Sequence, residues 1–138
     1  MFQKLLLYVD DRPESLVAAS RALEMARLCD ARVFAAAVLN QESVPTVKTG
    51  ARPRRSLRRP QTGTEPEELA WSRLYEIEDD AFEANVRISL LLETGNRDEK
   101  LLALIGSYQL EALIIGARSP LGWENLIERC PVMVIFAR

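Results

Sequence analysis

Histidine is absent from the 138 residues, and cysteine occurs only twice. The first absence excludes the Ser-His and Cys-His hydrolase mechanisms, phosphohistidine carriers and His-ligated zinc in their usual forms. With only Cys29 and Cys130, the chain by itself builds neither a disulfide framework nor a four-thiolate metal site, and a reducing cytoplasm is the expected setting. Both are expected to be small buried hydrophobes. Long hydrophobic runs are missing too, since none approaches the roughly 20 residues that span a bilayer. The chain passes from Lys4 through Leu5-Leu6-Leu7-Tyr8-Val9 straight to Asp10, an apolar stretch too short for the core of a secretory leader. Excess charge is small, a net −2, but unevenly spread. Residues 41–63 set Lys48, Arg52, Arg54, Arg55, Arg58 and Arg59 against Glu42, a local +5 that leaves −7 for the remainder. A mildly acidic body with one basic segment does not make a general nucleic-acid binder.

What is present suits a single domain over residues 1–138. Five short apolar runs alternate with helix-like segments. Leu5 to Val9 reads as the first strand. Asp11-Arg12-Pro13-Glu14 then opens a helix with an acidic N-cap and an early proline, running to about Cys29 with Leu16, Ala19, Leu23 and Ala26 inward. Val33 to Leu39 is a second strand, continuously apolar as in a sheet covered on both faces. Residues 40–63, with three prolines, two glycines and the arginine cluster, read as a long mobile loop. Thr64-Glu65-Pro66-Glu67 starts a helix to about Ala84, with Trp71, Leu74, Tyr75 and Phe82 on its apolar side. Val86 to Leu92 is the third strand. Asn96 caps the third helix, whose inward residues are expected to be Leu101, Leu102, Ile105 and Tyr108. Leu113-Ile114-Ile115 forms the fourth strand, ending at Gly116. Two helical turns around Trp123 to Glu128 and a fifth strand, Val132 to Phe136, close the chain.

Strict alternation of this kind specifies an α/β fold, a doubly wound five-stranded parallel sheet with helices on both faces. Ligands of such sheets bind beyond the strand carboxyl ends, where the strand order reverses. Asp10 and Asp11, Val38 to Asn40, and Gly116 to Ser119 are therefore the candidate site residues.

The opening Leu-Leu-Leu-Tyr-Val-Asp-Asp resembles a response-regulator receiver, whose paired acids hold Mg²⁺ beside a phosphorylated Asp. That reading fails on parts. No Asp lies between Asp30 and Asp79, the third strand exits into Glu93-Thr94-Gly95, and no Lys ends the fifth strand. A second resemblance covers almost the whole chain. Val9-Asp10 ends the first strand, a small-residue helix spans Ala18 to Ala26, and Val38 ends the second strand. Gly95 follows the third, Leu113-Ile114-Ile115-Gly116-Ala117-Arg118 forms the fourth and its exit, and Cys130-Pro131-Val132-Met133-Val134-Ile135 closes the chain. In order and spacing these resemble the universal stress protein family, which implies a Rossmann-like sheet of strand order 3-2-1-4-5.

Family members that bind ATP carry Gly-x2-Gly-x9-Gly-Ser/Thr after the fourth strand, because glycines let backbone N–H groups approach phosphate oxygens. Gly116 supplies the first position, but Ser119, Arg129 and Cys130 stand at the others. The triphosphate cradle is degenerate. By the same resemblance Asp10 and Val38 contact the base and ribose end of a nucleotide. Arg118 and Ser119 offer a charge and a hydroxyl to a single phosphate, the plainer alternative for Arg118 being a solvated loop residue or a partner of Asp10. Asp10 itself has a plainer role open to it, capping the first helix or accepting loop N–H groups. The last strand, with Val132, Val134 and Phe136, is an apolar edge, and family members pair it across a two-fold axis, which implies a homodimer.

No nucleophile stands beside a base and no metal cluster is visible. The sequence therefore leads to a non-enzymatic, dimeric universal-stress-type protein acting in stress adaptation through contacts with another protein, with weak or no ATP binding and no required cofactor. The alternative is a sensor that holds ATP or AMP weakly at Asp10, Val38 and Gly116. A third reading gives the arginine segment an anion or nucleic-acid contact, against a solvated segment lying on the acidic stretch Glu76 to Glu83.

Overall fold

A computed structural model of the chain describes residues 2–40 and 66–138. The basic segment 41–63 and the Thr64-Glu65 helix start fall outside the described residues. The element order is β1 (Lys4–Tyr8), α1 (Pro13–Cys29), β2 (Arg32–Leu39), α2 (Pro66–Glu83), β3 (Ile88–Thr94), α3 (Arg97–Tyr108), β4 (Ala112–Gly116), α4 (Glu124–Arg129) and β5 (Met133–Ala137). The strands form one parallel sheet ordered β3-β2-β1-β4-β5. β1 is central, with Leu6 registered between Phe34 of β2 and Leu113 of β4.

The period of two along each strand divides the core. Leu5, Leu7, Val33, Ala35 and Ile114 pack beneath α1 and α2, whereas Leu6, Tyr8, Phe34, Leu113 and Ile115 pack beneath α3 and the Trp123–Leu126 region. Burial on both faces explains the unbroken apolar runs in β1 and β4. Each fully buried leucine contributes about 1.5–3 kcal/mol relative to exposure. No described helix is long and apolar enough to cross a membrane.

α1 meets the sheet through Ser15, Ala18, Ala19, Ala22, Leu23 and Ala26. Small side chains bring the helix axis close to the strands, and this displaces Leu16, expected inward, to half exposure at 50%. The same one-position error recurs in α2. Leu74, Ile77 and Ala81 form its inward line, so Phe82, about 100° further round the helix, is 85% exposed. In α3 the inward set is Leu101, Leu104 and Ile105, while Tyr108 in the last turn stays exposed and lays its ring 5.0 Å from that of Phe34. The α1 cap also differs from expectation. Arg12, not an acid, occupies the N-cap with extended backbone and no side-chain capping bond, and Pro13 follows at the first helical position. Asn96 caps α3 as expected, its side-chain oxygen accepting from Glu99 N–H at 2.9 Å. At the far edge β5 begins one residue after Val132, and Cys29 and Cys130 are half-buried free thiols.

Gly116 marks the tightest approach. A Cβ there would overlap the Glu14 carbonyl in the first turn of α1. Gly116→Ala should therefore cost about 2 kcal/mol as an overpacking substitution, read as a lower urea midpoint at unchanged slope. Gly106→Ala, whose added methyl meets nothing within 4 Å in α3, should instead stabilise by about 0.5–1 kcal/mol.

Candidate functional site

The carboxyl ends of β1, β2 and β4 lie side by side at the point where the chain reverses strand order. Val9 prolongs the β1 ladder by donating its N–H to Ala36 O at 2.8 Å, and the chain turns at Asp10. That turn is bonded throughout. Asp10 N–H donates to Ser15 Oγ at 3.0 Å, tying the turn to the first turn of α1. Asp10 Oδ1 accepts from Arg12 N–H at 3.1 Å, and Oδ2 accepts from Arg12 Nε at 2.8 Å. The same guanidinium reaches the end of β4, where Nη2 donates to the carbonyl of Gly116 at 2.6 Å. One side chain thus bridges the ends of β1 and β4, with Arg12 41% and Asp10 17% exposed.

Two cavities flank Val38. One, of about 420 Å³, lies toward α2 and is lined by Val9, Asp10, Asp11, Asn40, Leu69 and Arg73, among others. The second, of about 610 Å³, lies toward the start of α3, with Asn96, Arg97 and Asp98 in its wall. Tyr8, Val38 and Asn40 belong to both. The fold therefore brings Asp10 and Val38 to one cavity. Gly116, Arg118 and Ser119 line neither. Arg118 is 82% exposed and pairs with Glu14 at 3.4 Å rather than with Asp10. The Glu14 carboxyl lies below its ordinary range, first because its own backbone N–H donates to it, then through Arg118 and Arg12. Ser119 Oγ accepts from Leu121 N–H at 3.3 Å, a contact internal to its loop.

The β4–α4 connection is held by a separate network. The Arg97 guanidinium lies 3.5 Å over the Trp123 ring, donates to Gly122 O at 2.9 Å and pairs with Asp98 at 2.8 Å. Asp98 is buried and also accepts from Asn125 Nδ2 at 3.1 Å. Trp123 in turn meets Tyr8 edge-on at 5.2 Å. Among the described residues no three His, Cys, Asp or Glu side chains gather as a metal site.

Sequence reasoning places Arg12 and Ser15 only in a helix start; their hold on Asp10 emerges from the fold. The available signal was local: Asp10 and Arg12 stand two apart, and Pro13 fixes the backbone that follows.

A doubly wound parallel sheet with a crevice above its central strand, walled by an acid and a valine, defines a small α/β class whose ligands, where members have them, bind at that switch point. The chain belongs to the universal stress protein family, whose profile matches residues 1–136. No curated protein matches it significantly. Among solved structures it is similar to a universal stress family protein from Burkholderia pseudomallei, at 19% identity and TM-score 0.72, over 97% of this chain and 96% of that one. A universal stress protein in complex with cAMP superposes with TM-score 0.72 at 17% identity, over 99% and 97% of the chains. An Arabidopsis thaliana family member with AMP bound gives 0.69 at 16%, over 99% and 92%. At these identities the likeness establishes the fold.

Tyr8 supplies a test of the crevice floor. Burial, then the negative charge of Asp10, pushes its phenol up to about 12 from the ordinary 10.0. The folded state holds this proton more tightly than the unfolded chain. Its contribution is therefore complete below pH 10 and lost as pH rises from 10 through 12. Tyr8→Phe should remove roughly 2–3 kcal/mol of that alkaline loss, read as the difference between wild-type and variant urea stabilities from pH 9 to 12.

Proposed function

We propose that this chain is a non-catalytic universal stress protein that senses an adenine mononucleotide and passes the signal on through protein contacts as a cytoplasmic homodimer. The observation that carries the reading is the division of the candidate residues. Asp10 and Val38 share the 420 Å³ cavity, and the residues after β4 that would grip a triphosphate do not line it. A volume of that order suits a mononucleotide. Asp10 offers carboxylate acceptors to an exocyclic amine, Val38 an apolar wall, and Arg73 a cation at the α2 side. The AMP and cAMP named with the two similar structures support this choice of ligand class.

Calorimetry with AMP, cAMP and ATP, each with Mg²⁺, tests the ligand. AMP or cAMP should bind in the micromolar range, with ATP at least about tenfold weaker. Micromolar ATP affinity overturns the assignment. The dimer rests on β5, an edge strand whose Met133 is exposed and whose Val134 and Phe136 are half-buried. Val134→Asp should shift the wild-type dimer to monomer or aggregate in size-exclusion chromatography; an unchanged dimer sinks that part of the proposal.

A further inference from the structure

We infer that Arg12 is a built-in competitor for the ligand at Asp10, and that it restricts the crevice to nucleotides carrying a phosphate. This rests on the nucleotide reading of the crevice. The geometry is specific. Both Asp10 carboxylate oxygens are engaged by Arg12, one by its backbone N–H and one by Nε at 2.8 Å, and Nη2 is engaged by Gly116 O. A base that is to donate its amine to Asp10 finds an acceptor already holding a cation.

Charge-assisted hydrogen bonds are roughly twice as strong as neutral ones, so a neutral amine exchanging places with the guanidinium loses free energy. The exchange becomes favourable only when the released guanidinium gains a new anion. A nucleoside phosphate brings one; a nucleoside does not. Release is feasible because Arg12 is 41% exposed and its side chain makes no helix-capping bond. The N–H of Arg12 remains on Asp10 Oδ1 throughout, so the side-chain bonds to be traded are those from Nε to Oδ2 and from Nη2 to the Gly116 carbonyl.

Binding of adenosine and AMP to wild type, Arg12→Ala and Arg12→Gln, measured by calorimetry, tests the inference. The glutamine keeps a neutral donor of similar reach, and urea unfolding confirms that each variant is folded. Wild type should prefer AMP to adenosine by at least about tenfold, the scale of one charge-assisted bond. In Arg12→Ala adenosine should bind at least about tenfold more tightly than in wild type, AMP should not improve equally, and the preference should fall to about threefold or less. Arg12→Gln should lie between. If adenosine binds all three proteins alike while AMP still binds, the competitor role is wrong and the nucleotide reading stands. If neither compound binds any of the three, both fail together. A weaker adenosine affinity in Arg12→Ala would make Arg12 a ligand contact and overturn the inference.

Discussion

The approach of α1 to the end of β4 is the contact on which the rest of the crevice depends. At Gly116 the space a side chain would need is taken by the Glu14 backbone, so only a glycine lets the first turn of α1 settle there. That seating fixes Ser15 under the Asp10 N–H and brings the Arg12 guanidinium to the Gly116 carbonyl. The glycine that the family resemblance makes the first of a phosphate loop is thus required in this chain by helix packing. Its presence in the sequence says little about phosphate, because close backbone approach to a helix and close approach to an anion require the same missing Cβ.

The fold was legible because its strands are buried on both faces. Continuous apolar runs such as Leu5-Leu6-Leu7-Tyr8-Val9 and Leu113-Ile114-Ile115 have few other uses in a chain with turn signals at each end. Asn96 was legible as a cap because its own side chain makes the capping bond. The start of α1 was not, because Asp11 looks like a cap while the position belongs to Arg12, and the acid that matters there, Asp10, faces the loop instead. Inward helix faces failed at Leu16, Phe82 and Tyr108. At Leu16 a helix lying close to the sheet selects small residues such as Ala18 and Ala22, whereas Phe82 and Tyr108 lie beside inward lines that are themselves large, Leu74 and Ile77 in α2 and Leu101, Leu104 and Ile105 in α3.

The site was legible only as far as topology reaches. The switch-point rule located the ends of β1, β2 and β4, and five of the residues found there, Asp10, Asp11, Val38, Leu39 and Asn40, share a cavity. The rule gives positions along the strands and not the directions of side chains in the loops beyond them. Arg118 follows β4 by two residues and turns outward to Glu14, a partner 104 positions away in sequence that no local pattern announces. Arg97, on a different element, does what Arg118 was a candidate to do, placing a cation beside a cavity at the strand ends, and it spends its donors on Asp98 and Gly122.

The Asp10–Arg12 pair carries its meaning in position rather than in stability. A pair with one partner 41% exposed contributes little to folding once solvent screening is counted. Asp10 is far less exposed than Arg12, so leaving its carboxylate without a donor costs more than the pair itself returns. The crevice therefore favours having a donor on Asp10 at all times, and a charged donor over a neutral one. A site with a part-exposed internal cation and a firm demand for occupancy responds to ligand charge.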